Sequence, residues 1–442
     1  MPTFLFASIP VVAHSSNPLP FAARLVERGH RVLWYAGRRF HGQIESVGAE
    51  PRCYRAAYDF SEVPLDEAFP RLANLSGVRA ISSAFADIFV GHAAMRVADL
   101  QGILAAEPVD AMLCDELMYG VGLCTELGGP PWATFGDGPL PYFEADTPPF
   151  GPALLPMPGP VGRLRNRLVA EGARRVVFRQ AQRRYNRIRA DLGLPLAHRS
   201  VLDESVSPYL HLHGCTPAFE YPRTQLPGHM HWVGALRPDP PRDWTPPTWW
   251  PEVTSGDLPV VLVSQGSLRS DVTELLVPAV RDLADENVLV VVTTGAADPG
   301  QLSEHLGRDL PENVRLARFI PYDVLMPHLS AFVTNGGYSG VTLALAHGVP
   351  LVQAGTTEEK AEIAVRIHWT GVGVRLGRSH PPAGAVRSGV RQVLDDPSYA
   401  AAAGLVQREM SEHDAGLEGA QLLEELAETR QPVLRRARAA SG

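Results

Sequence analysis

The sequence predicts an α/β protein of two tandem domains, each built around a parallel sheet. Residues 3–12 and 31–36 are apolar runs on either side of a helix-like segment, 19–28, that stops at Gly29. This strand–helix–strand order is typical of a parallel sheet, and continuously apolar runs suit strands that are buried on both faces. The same alternation restarts after a Pro-rich stretch at 236–258.

The remaining elements follow from the same pattern along the chain. In the first half, apolar runs predict strands at 110–114 and 131–135, and helical spacing predicts helices at 76–106, 118–127 and 163–190. In the second half, the predicted strands are 259–267, 287–295, 313–317, 331–337 and 349–353, and the predicted helices are 271–285, 322–329, 339–347 and 398–428. Pro fixes φ and removes hydrogen-bond donors, so the stretch between the halves is predicted to be an irregular linker.

These elements predict how the chain divides into domains. The predicted domains are 1–235 and 259–405, joined by the linker at 236–258. A helix at 406–428 is expected to return to the first domain, and 429–442 is expected to be a tail. Two open sheets that face each other form a cleft at the carboxyl ends of their strands, which is where such sheets bind ligands.

Composition excludes several classes of protein and site. The chain has 40 basic and 48 acidic residues, and a net acidic chain is a poor candidate for binding nucleic acid. Its four Cys contain no C-x-x-C pair, so neither a disulfide framework nor a zinc pattern is predicted, and a reducing cytoplasm is expected. No apolar run reaches the roughly 18 residues of a membrane span. His211 and His213 share a strand face, but no further ligand is evident, so no metal site is predicted.

Two residues at strand ends are candidates for acid–base chemistry. His14 lies in the loop after the first strand, where a His can act as a base near neutral pH, although a surface His is the alternative. Asp115 follows the strand at 110–114, so it can orient that His through the ring Nδ1–H. The alternative for Asp115 is the N-cap of the helix that follows.

Glycine turns in the second half predict a phosphate site. Gly266-Ser267 and the turn Asn335-Gly336-Gly337-Tyr338-Ser339 each lie at the end of a predicted strand, and the second turn opens a helix. Glycines let the backbone approach a ligand closely, and a helix N-terminus offers free N–H groups to phosphate. The loop 356–360 could hydrogen-bond the hydroxyls of a sugar, or it could simply begin a helix. Its Lys360 is the only Lys among the 40 basic residues.

Several segments of the chain together match a known family pattern. In the first domain they are His14–Ala22, ERGHRV, CDELMYG, EYPR (220–223) and HWVGAL (231–236). In the second they are Phe319-Ile320-Pro321-Tyr322, Asn335-Gly336-Gly337, Gly348-Val349-Pro350 and Glu359-Lys360. Through these segments nearly the whole chain resembles the nucleotide-sugar-dependent glycosyltransferases of the GT-B fold, in the family that holds plant secondary-metabolite and bacterial macrolide transferases. Three positions depart from the family pattern: Asn335 replaces a phosphate-binding His, Leu343 replaces the acidic residue that holds the ribose, and Lys360 replaces a Gln.

The resemblance implies a fold of two Rossmann-like domains facing across a cleft, and an inverting transfer of sugar from a UDP- or dTDP-sugar. His14 would deprotonate a hydroxyl of a small apolar natural product, and Asp115 would orient His14. The implied donor-binding residues are Gly266, Ser267, Phe319, Pro321, Asn335, Gly336, Gly337, Tyr338, Ser339, Glu359 and Lys360. The acceptor is expected against Phe85, Phe89, Phe135, Tyr142 and Phe143, for each of which core packing is the alternative.

The expected enzyme needs no cofactor and no metal, works in the cytoplasm as a monomer or homodimer, and belongs to antibiotic biosynthesis or other secondary metabolism. Two other functions remain open at this point. One is a nucleotide-sugar epimerase on the same fold, which would turn over its donor without an acceptor. The other is a non-catalytic protein that binds a nucleotide sugar or assists a partner enzyme.

Overall fold

The first of two parallel sheets organises the N-terminal half of the chain. The structure, a computed structural model, describes residues 1–73, 75, 77–238, 244–266, 269–307, 309–357 and 359–435. The strands of the first sheet are β1 (Thr3–Ala7), β2 (Arg31–Tyr35), β3 (Glu50–Arg52), β4 (Ala111–Asp115), β5 (Trp132–Gly136), β6 (Leu210–His213) and β7 (Met230–Trp232). They lie in the order β3-β2-β1-β4-β5-β6-β7, and all the paired strands are parallel.

The second parallel sheet organises the C-terminal half. Its strands are β8 (Val260–Ser264), β9 (Leu289–Thr293), β10 (Val314–Ala317), β11 (Ala331–Thr334), β12 (Leu351–Gln353) and β13 (Gly373–Arg375). They lie in the order β10-β9-β8-β11-β12-β13. The strand order reverses between β1 and β4 in the first sheet and between β8 and β11 in the second, which are the positions where open α/β sheets bind ligands. The predicted two-domain α/β fold class is confirmed.

Helices cover both sheets. In the N-terminal domain they are α1 (Val12–Ser16), α2 (Leu19–Glu27), α3 (His41–Ser46), α4 (Leu65–Ala68), α5 (Pro70–Ala73), α6 (Gly77–Ala84), α7 (Ala93–Ala106), α8 (Val121–Glu126), α9 (Gly159–Gly172), α10 (Arg179–Asp191) and α11 (Val201–Glu204). The rest are α12 (Trp250–Thr254), α13 (Leu276–Leu283), α14 (Pro299–Leu306), α15 (Tyr322–Leu325), α16 (Tyr338–Ala346), α17 (Lys360–Thr370), α18 (Ala385–Asp395), α19 (Pro397–Ser411) and α20 (Ala415–Thr429). Short π-helical turns, at Phe85–Phe89 and Ala173–Val177, interrupt two of the long helical segments of the N-terminal domain.

The linker and the end of the chain differ in detail from the prediction. Helix α12 lies inside the linker that was predicted to have no regular element, because Pro251 occupies the first turn, where a helix tolerates Pro. At the C-terminus, the single predicted helix is two helices, α19 and α20, and the Asp414 side chain caps the second by accepting from Leu417 N at 3.0 Å. Residues 239–243 of the linker and 436–442 of the tail lie outside the described residues.

The last helix packs on the N-terminal domain. At Gly419 of α20, an added Cβ would lie 2.3 Å from the ring of Phe21 in α2, so this close approach requires glycine. Arg28 joins the two helices again by donating from Nε to Glu424 Oε1 at 2.7 Å. The chain therefore crosses back from the second sheet to the first before it ends.

A buried ion network also holds the two halves together. Arg366 of α17 is 1% exposed and donates from Nη2 to Glu220 Oε1 at 2.9 Å. Its guanidinium lies 4.4 Å above the ring centroid of Tyr221. Glu362, one turn earlier on α17, accepts from the backbone N–H of Gly151 at 2.8 Å. Within the described part of the chain, no helix is long and apolar enough to cross a membrane.

Candidate active site

A large cleft runs between the two sheets. It has a volume of about 2570 Å³, which exceeds the roughly 300–1,000 Å³ of a pocket for one small molecule. Its walls contain the ends of β1, β4 and β5 from one domain and the ends of β8 and β11 from the other. The cleft therefore has room for two ligands, one beside each sheet.

His14 lies in α1, at the cleft edge of the N-terminal domain. Its Nδ1 lies 3.3 Å from Oδ1 of Asp115, which is fully buried. Asp115 is itself held by the backbone, since its Oδ2 accepts from Ile9 N at 3.2 Å and its Oδ1 accepts from Leu117 N at 2.9 Å. Asp115 is not a helix N-cap, because the next helix, α8, begins only at Val121. The structure thus brings the two predicted residues together.

A second carboxylate, which the sequence reasoning missed, lies on the same side of the imidazole. Asp137 follows β5, and its Oδ1 lies 3.8 Å from Nδ1 of His14. Burial alone would lower the pKa of His14, but the charges of Asp137 and Asp115 outweigh burial and raise this pKa to about 10. The pKa of Asp137 is also raised, mainly because the carboxyl is desolvated. The sequence contained a signal for Asp137, since this residue stands two positions after the predicted strand at 131–135, much as Asp115 follows the strand at 110–114.

Asn17 connects this group to the other domain and was also missed. Its Nδ2 donates to Oδ2 of Asp137 at 3.0 Å and to Oγ of Ser339 at 3.0 Å. Ser339 lies in the first turn of α16, so the amide bridges the two sides of the cleft. The side chain of Asn17 is thereby fixed between a carboxyl and a hydroxyl.

The glycine turn before α16 faces the cleft from the C-terminal domain. Gly336 has φ +93°, and a Cβ there would lie 2.7 Å from Nε2 of Gln353, so both conformation and space require glycine. Gly337 is the N-cap residue of α16, and its N–H contacts Oδ1 of Asn335 at 3.4 Å. The N-terminus of this helix provides backbone N–H groups and the positive end of a dipole beside the cleft.

A second glycine turn meets the first across the sheet. Gly266 has φ +78°, and a Cβ there would lie 3.6 Å from the side-chain amide of Asn335. Asn335 donates from Nδ2 to the carbonyl of Gln265, which ties the two turns together. Ser267, which was predicted with them, lies outside the described residues. Arg269 was not predicted, but it lines the cleft beside these turns and donates to Thr357 Oγ1 at 3.0 Å.

The predicted sugar-binding pair also lines the cleft. Glu359 is the N-cap residue of α17, and Lys360, which is 5% exposed, begins the helix. The helix that the loop 356–360 could begin therefore starts at the last residue of that loop. The negative charge of Glu359 contributes to the raised pKa of His14, so a charge of the C-terminal domain acts on the imidazole of the N-terminal domain. Glu358 lies outside the described residues.

The remaining predicted donor residues lie along the same wall. Phe319 is 61% exposed and lines the cleft together with Pro321, so its ring is open to a ligand. Tyr338 is 5% exposed, and its hydroxyl lies 3.2 Å from Nε2 of His213. Tyr338 is thus mostly buried between the two domains, where its ring also lies 6.4 Å from that of Phe219. Leu343 also lines the cleft.

Comparisons with known proteins agree with this geometry. Residues 280–426 match the family of the erythromycin biosynthesis protein CIII-like C-terminal domain. The chain is 41% identical to 4'-demethylrebeccamycin synthase of Lentzea aerocolonigenes, over 96% of this chain and 99% of that protein. It is 31% identical to UDP-glycosyltransferase 2 of Phaeomoniella chlamydospora, over 96% of each chain. The chain is a glycosyltransferase of the family 1 natural-product type.

Solved structures show the same fold at lower identity. The calicheamicin glycosyltransferase CalG4 matches with a TM-score of 0.73 at 20% identity, over 97% of this glycosyltransferase and 99% of that chain. VinC, solved in complex with dTDP, matches with a TM-score of 0.68 at 22% identity, over 96% and 99% of the two chains. The GT-B architecture expected from the sequence is therefore confirmed.

Of the five aromatic residues that were predicted to bind the acceptor, two line the cleft and three do not. Phe85 and Phe89 line the cleft, with ring centroids 5.4 Å apart. Phe135 lies in the core against Phe21, because β5 is buried on both faces and the sequence does not say which side faces the cleft. Tyr142 lies edge-on to His211, and Phe143 lies beneath the guanidinium of Arg174. These last three do not line the cleft.

The two histidines of β6 lie in the protein core of the glycosyltransferase. His211 and His213 are fully buried, and His211 pairs through Nδ1 with Thr134 Oγ1 at 2.9 Å. Burial lowers the pKa of His213 to about 3, so this imidazole is neutral. Among the described residues, no three His, Cys, Asp or Glu side chains are grouped so as to hold a metal ion.

Proposed function

We propose that this glycosyltransferase moves a sugar from a UDP- or dTDP-sugar to a hydroxyl of a small, largely apolar natural product, with inversion at the anomeric carbon. The observation that carries the proposal is the placement of His14 and Asp115 opposite the N-terminus of α16, across one cleft. A base and an anion-binding helix that face each other are the two groups that such a transfer requires.

The acceptor is activated on the side of the N-terminal domain. Asp115 holds the Nδ1 side of His14, so Nε2 of His14 is left to take the proton of the acceptor hydroxyl. The oxygen then attacks the anomeric carbon of the donor as the proton passes to the imidazole. For this step His14 must be neutral, so the carboxylates that raise its pKa place the active form of the enzyme toward alkaline pH.

The donor leaves on the side of the C-terminal domain. The bond between the anomeric carbon and the phosphate oxygen breaks, and the nucleoside diphosphate keeps the electron pair. The N–H groups around Gly336 and Gly337 and the dipole of α16 stabilise this negative charge. Because attack and departure occur on opposite faces of one carbon, a single displacement inverts its configuration.

Contacts to the donor follow from the residues along the cleft. The exposed ring of Phe319 provides a face on which the nucleobase of the donor can stack. Glu359 and Lys360 can hydrogen-bond the hydroxyls of the donor sugar. One relative is named a UDP-glycosyltransferase and one structural neighbour was solved with dTDP, so we propose both nucleotides as candidates.

The acceptor and its setting are inferred from the cleft and from the relatives. Apolar side chains that include Phe85, Phe89 and Phe178 line the N-terminal side, where they suit an apolar acceptor. The names of the relatives refer to rebeccamycin and calicheamicin, which supports a role in antibiotic biosynthesis. The four free cysteines suit a reducing cytoplasm.

Calorimetry with UDP, dTDP, UDP-glucose and dTDP-glucose tests the donor side, and product analysis with a panel of hydroxylated aromatic acceptors tests transfer. We expect micromolar to millimolar binding of one nucleotide and a product of inverted anomeric configuration by NMR. No binding of any nucleotide would contradict the proposal and favour a non-catalytic role. Donor turnover in the absence of acceptor would favour an epimerase.

A further inference from the structure

Glu116 is a buried carboxyl in the cleft that the proposed mechanism does not use. It follows Asp115 at the end of β4, is 9% exposed and lines the cleft. Its Oε2 is closed off from solvent, and no described residue donates a hydrogen bond to it. Its Oε1 lies 3.8 Å from the position that a Cβ at Gly138 would occupy, so no side chain from this position covers it.

The neighbouring carboxyls are all satisfied, which makes Glu116 an exception. Asp115 accepts two backbone N–H bonds, and Asp137 accepts from Asn17. Glu362 accepts from Gly151 in the opposite wall. A buried carboxyl without a hydrogen-bond partner destabilises the fold. Because Glu116 lines the cleft, a ligand there can bond to this carboxyl through its other oxygen, Oε1.

The charge state of Glu116 favours a neutral partner. Burial raises the pKa of its carboxyl, and the nearby charges of Asp137 and Asp115 raise it further, while His14 acts in the opposite direction. A protonated carboxyl offers one donor and an acceptor oxygen. It can therefore pair with a hydroxyl or an amide-type N–H without burying a net charge.

We propose that Glu116 binds a second polar group of the acceptor, a hydroxyl or N–H close to the hydroxyl that receives the sugar. This inference rests on the proposed function, because it assigns the substrate of that same site. His14 and Glu116 both line the N-terminal side of the cleft, so one rigid acceptor can contact the base and Glu116 together. The substrate class is an apolar ring system with two neighbouring hydrogen-bonding groups.

The donor is not the partner of this carboxyl. Glu116 extends from the N-terminal sheet, whereas the glycine turn and the N-terminus of α16 belong to the C-terminal domain. The hydroxyls of the donor sugar are served by Glu359 and Lys360 at the start of α17.

The first test measures the free enzyme and needs no acceptor. Glu116→Met replaces the unpartnered carboxyl with an apolar side chain of similar shape, so the unfolding midpoint should rise by roughly 2–4 °C. Glu27→Met is the control, because Glu27 lines the same cleft but is 61% exposed and paired with Arg24. Its midpoint should stay within a degree or so. A lower midpoint for Glu116→Met would overturn the proposal, because it would reveal a structural partner.

The second test compares matched acceptors, with UDP-glucose and dTDP-glucose as donors. The acceptors are 1,2-, 1,3- and 1,8-dihydroxynaphthalene and their monomethyl ethers, which vary the distance between the two groups. For at least one spacing, the wild type should prefer the diol over its ether by roughly 10- to 100-fold in kcat/KM, as expected for a lost bond to a buried group. Glu116→Met should abolish this preference, so that the diol and its ether have similar kcat/KM, whereas Glu27→Met should retain the roughly 10- to 100-fold preference for the diol.

The outcomes separate this inference from the proposed function. Equal rates for every diol and its ether in the wild type, or an unchanged preference in Glu116→Met, would overturn the inference while glycosyl transfer stands. If neither donor supports transfer and neither nucleotide binds, the proposed function fails. The unfolding midpoint of Glu116→Met then decides alone whether Glu116 is a carboxyl without a partner.

Discussion

The side-chain amide of Asn17 donates to Oγ of Ser339 at 3.0 Å and so joins the end of α1, the helix that carries His14, to α16 of the other domain. The same Nδ2 donates to Asp137 at 3.0 Å, and Asp137 lies 3.8 Å from His14. Three contacts thus connect the donor side of the cleft with the imidazole. This arrangement makes the position of the base depend on the relative position of the two domains.

The link predicts that Asn17 and Ser339 act as one unit. At saturating donor, Asn17→Ala and Ser339→Ala should each lower kcat by roughly 3- to 10-fold, because each removes the same bridge. Their double variant should be no slower than the slower single variant, which corresponds to a coupling of about 1 kcal/mol in a double-mutant cycle. Additive losses would show that the two side chains act independently.

The two carboxylates predict an alkaline dependence of transfer on pH. Asp137 and Asp115 hold His14 in its protonated form, and Glu359 acts in the same direction, so kcat/KM should still rise above pH 7. Asp137→Asn removes one of these charges, which lowers the pKa of His14 and moves the rising limb to lower pH. A profile of kcat/KM between pH 6 and 11 measures this shift. A limb that does not move would contradict the role given to Asp137.

The single lysine predicts an effect on donor choice. Lys360 is 5% exposed and lines the cleft at the start of α17, where a compact ammonium differs from an amide or a guanidinium. Lys360→Gln should change the relative rates with different nucleotide sugars more than it changes the free energy of unfolding. Rates across a donor panel, with thermal unfolding in parallel, measure the two effects. An unchanged donor profile would leave Lys360 without a role in donor selection.

The buried pair of Arg366 and Glu220 predicts a large loss of stability on truncation. Both side chains are 2% exposed, and Arg366→Ala leaves the carboxylate of Glu220 buried without this partner, at a cost of about 3–5 kcal/mol. Arg391→Ala is the control, because Arg391 is 62% exposed in its pair with Glu286 and should leave stability almost unchanged. Urea unfolding measures both variants. A loss in Arg366→Ala no larger than in Arg391→Ala would contradict the account of this network.

The sequence predicted the fold class and the pair of His14 and Asp115, because the carboxyl ends of parallel strands meet at one edge of a sheet. Asp137 satisfies the same rule and was predictable from its place after the strand at 131–135. The hydrogen bond from Asn17 to Ser339 could not be predicted from the sequence, because it joins residues 322 positions apart in different domains. Phe135 was misplaced because a strand that is buried on both faces carries no alternation to show which residues face a ligand.

The removal of His14 tests the central claim most directly. His14→Ala should lower the rate of glycosyl transfer by at least roughly 10²–10⁴-fold, the contribution of a positioned base, because the acceptor hydroxyl then keeps its proton. The affinity for the nucleotide sugar, measured by calorimetry on the same preparation, should stay within about twofold of wild type, since its binding groups lie in the other domain. Turnover close to the wild-type rate in this variant, with donor binding intact, would contradict the assignment of His14 as the base.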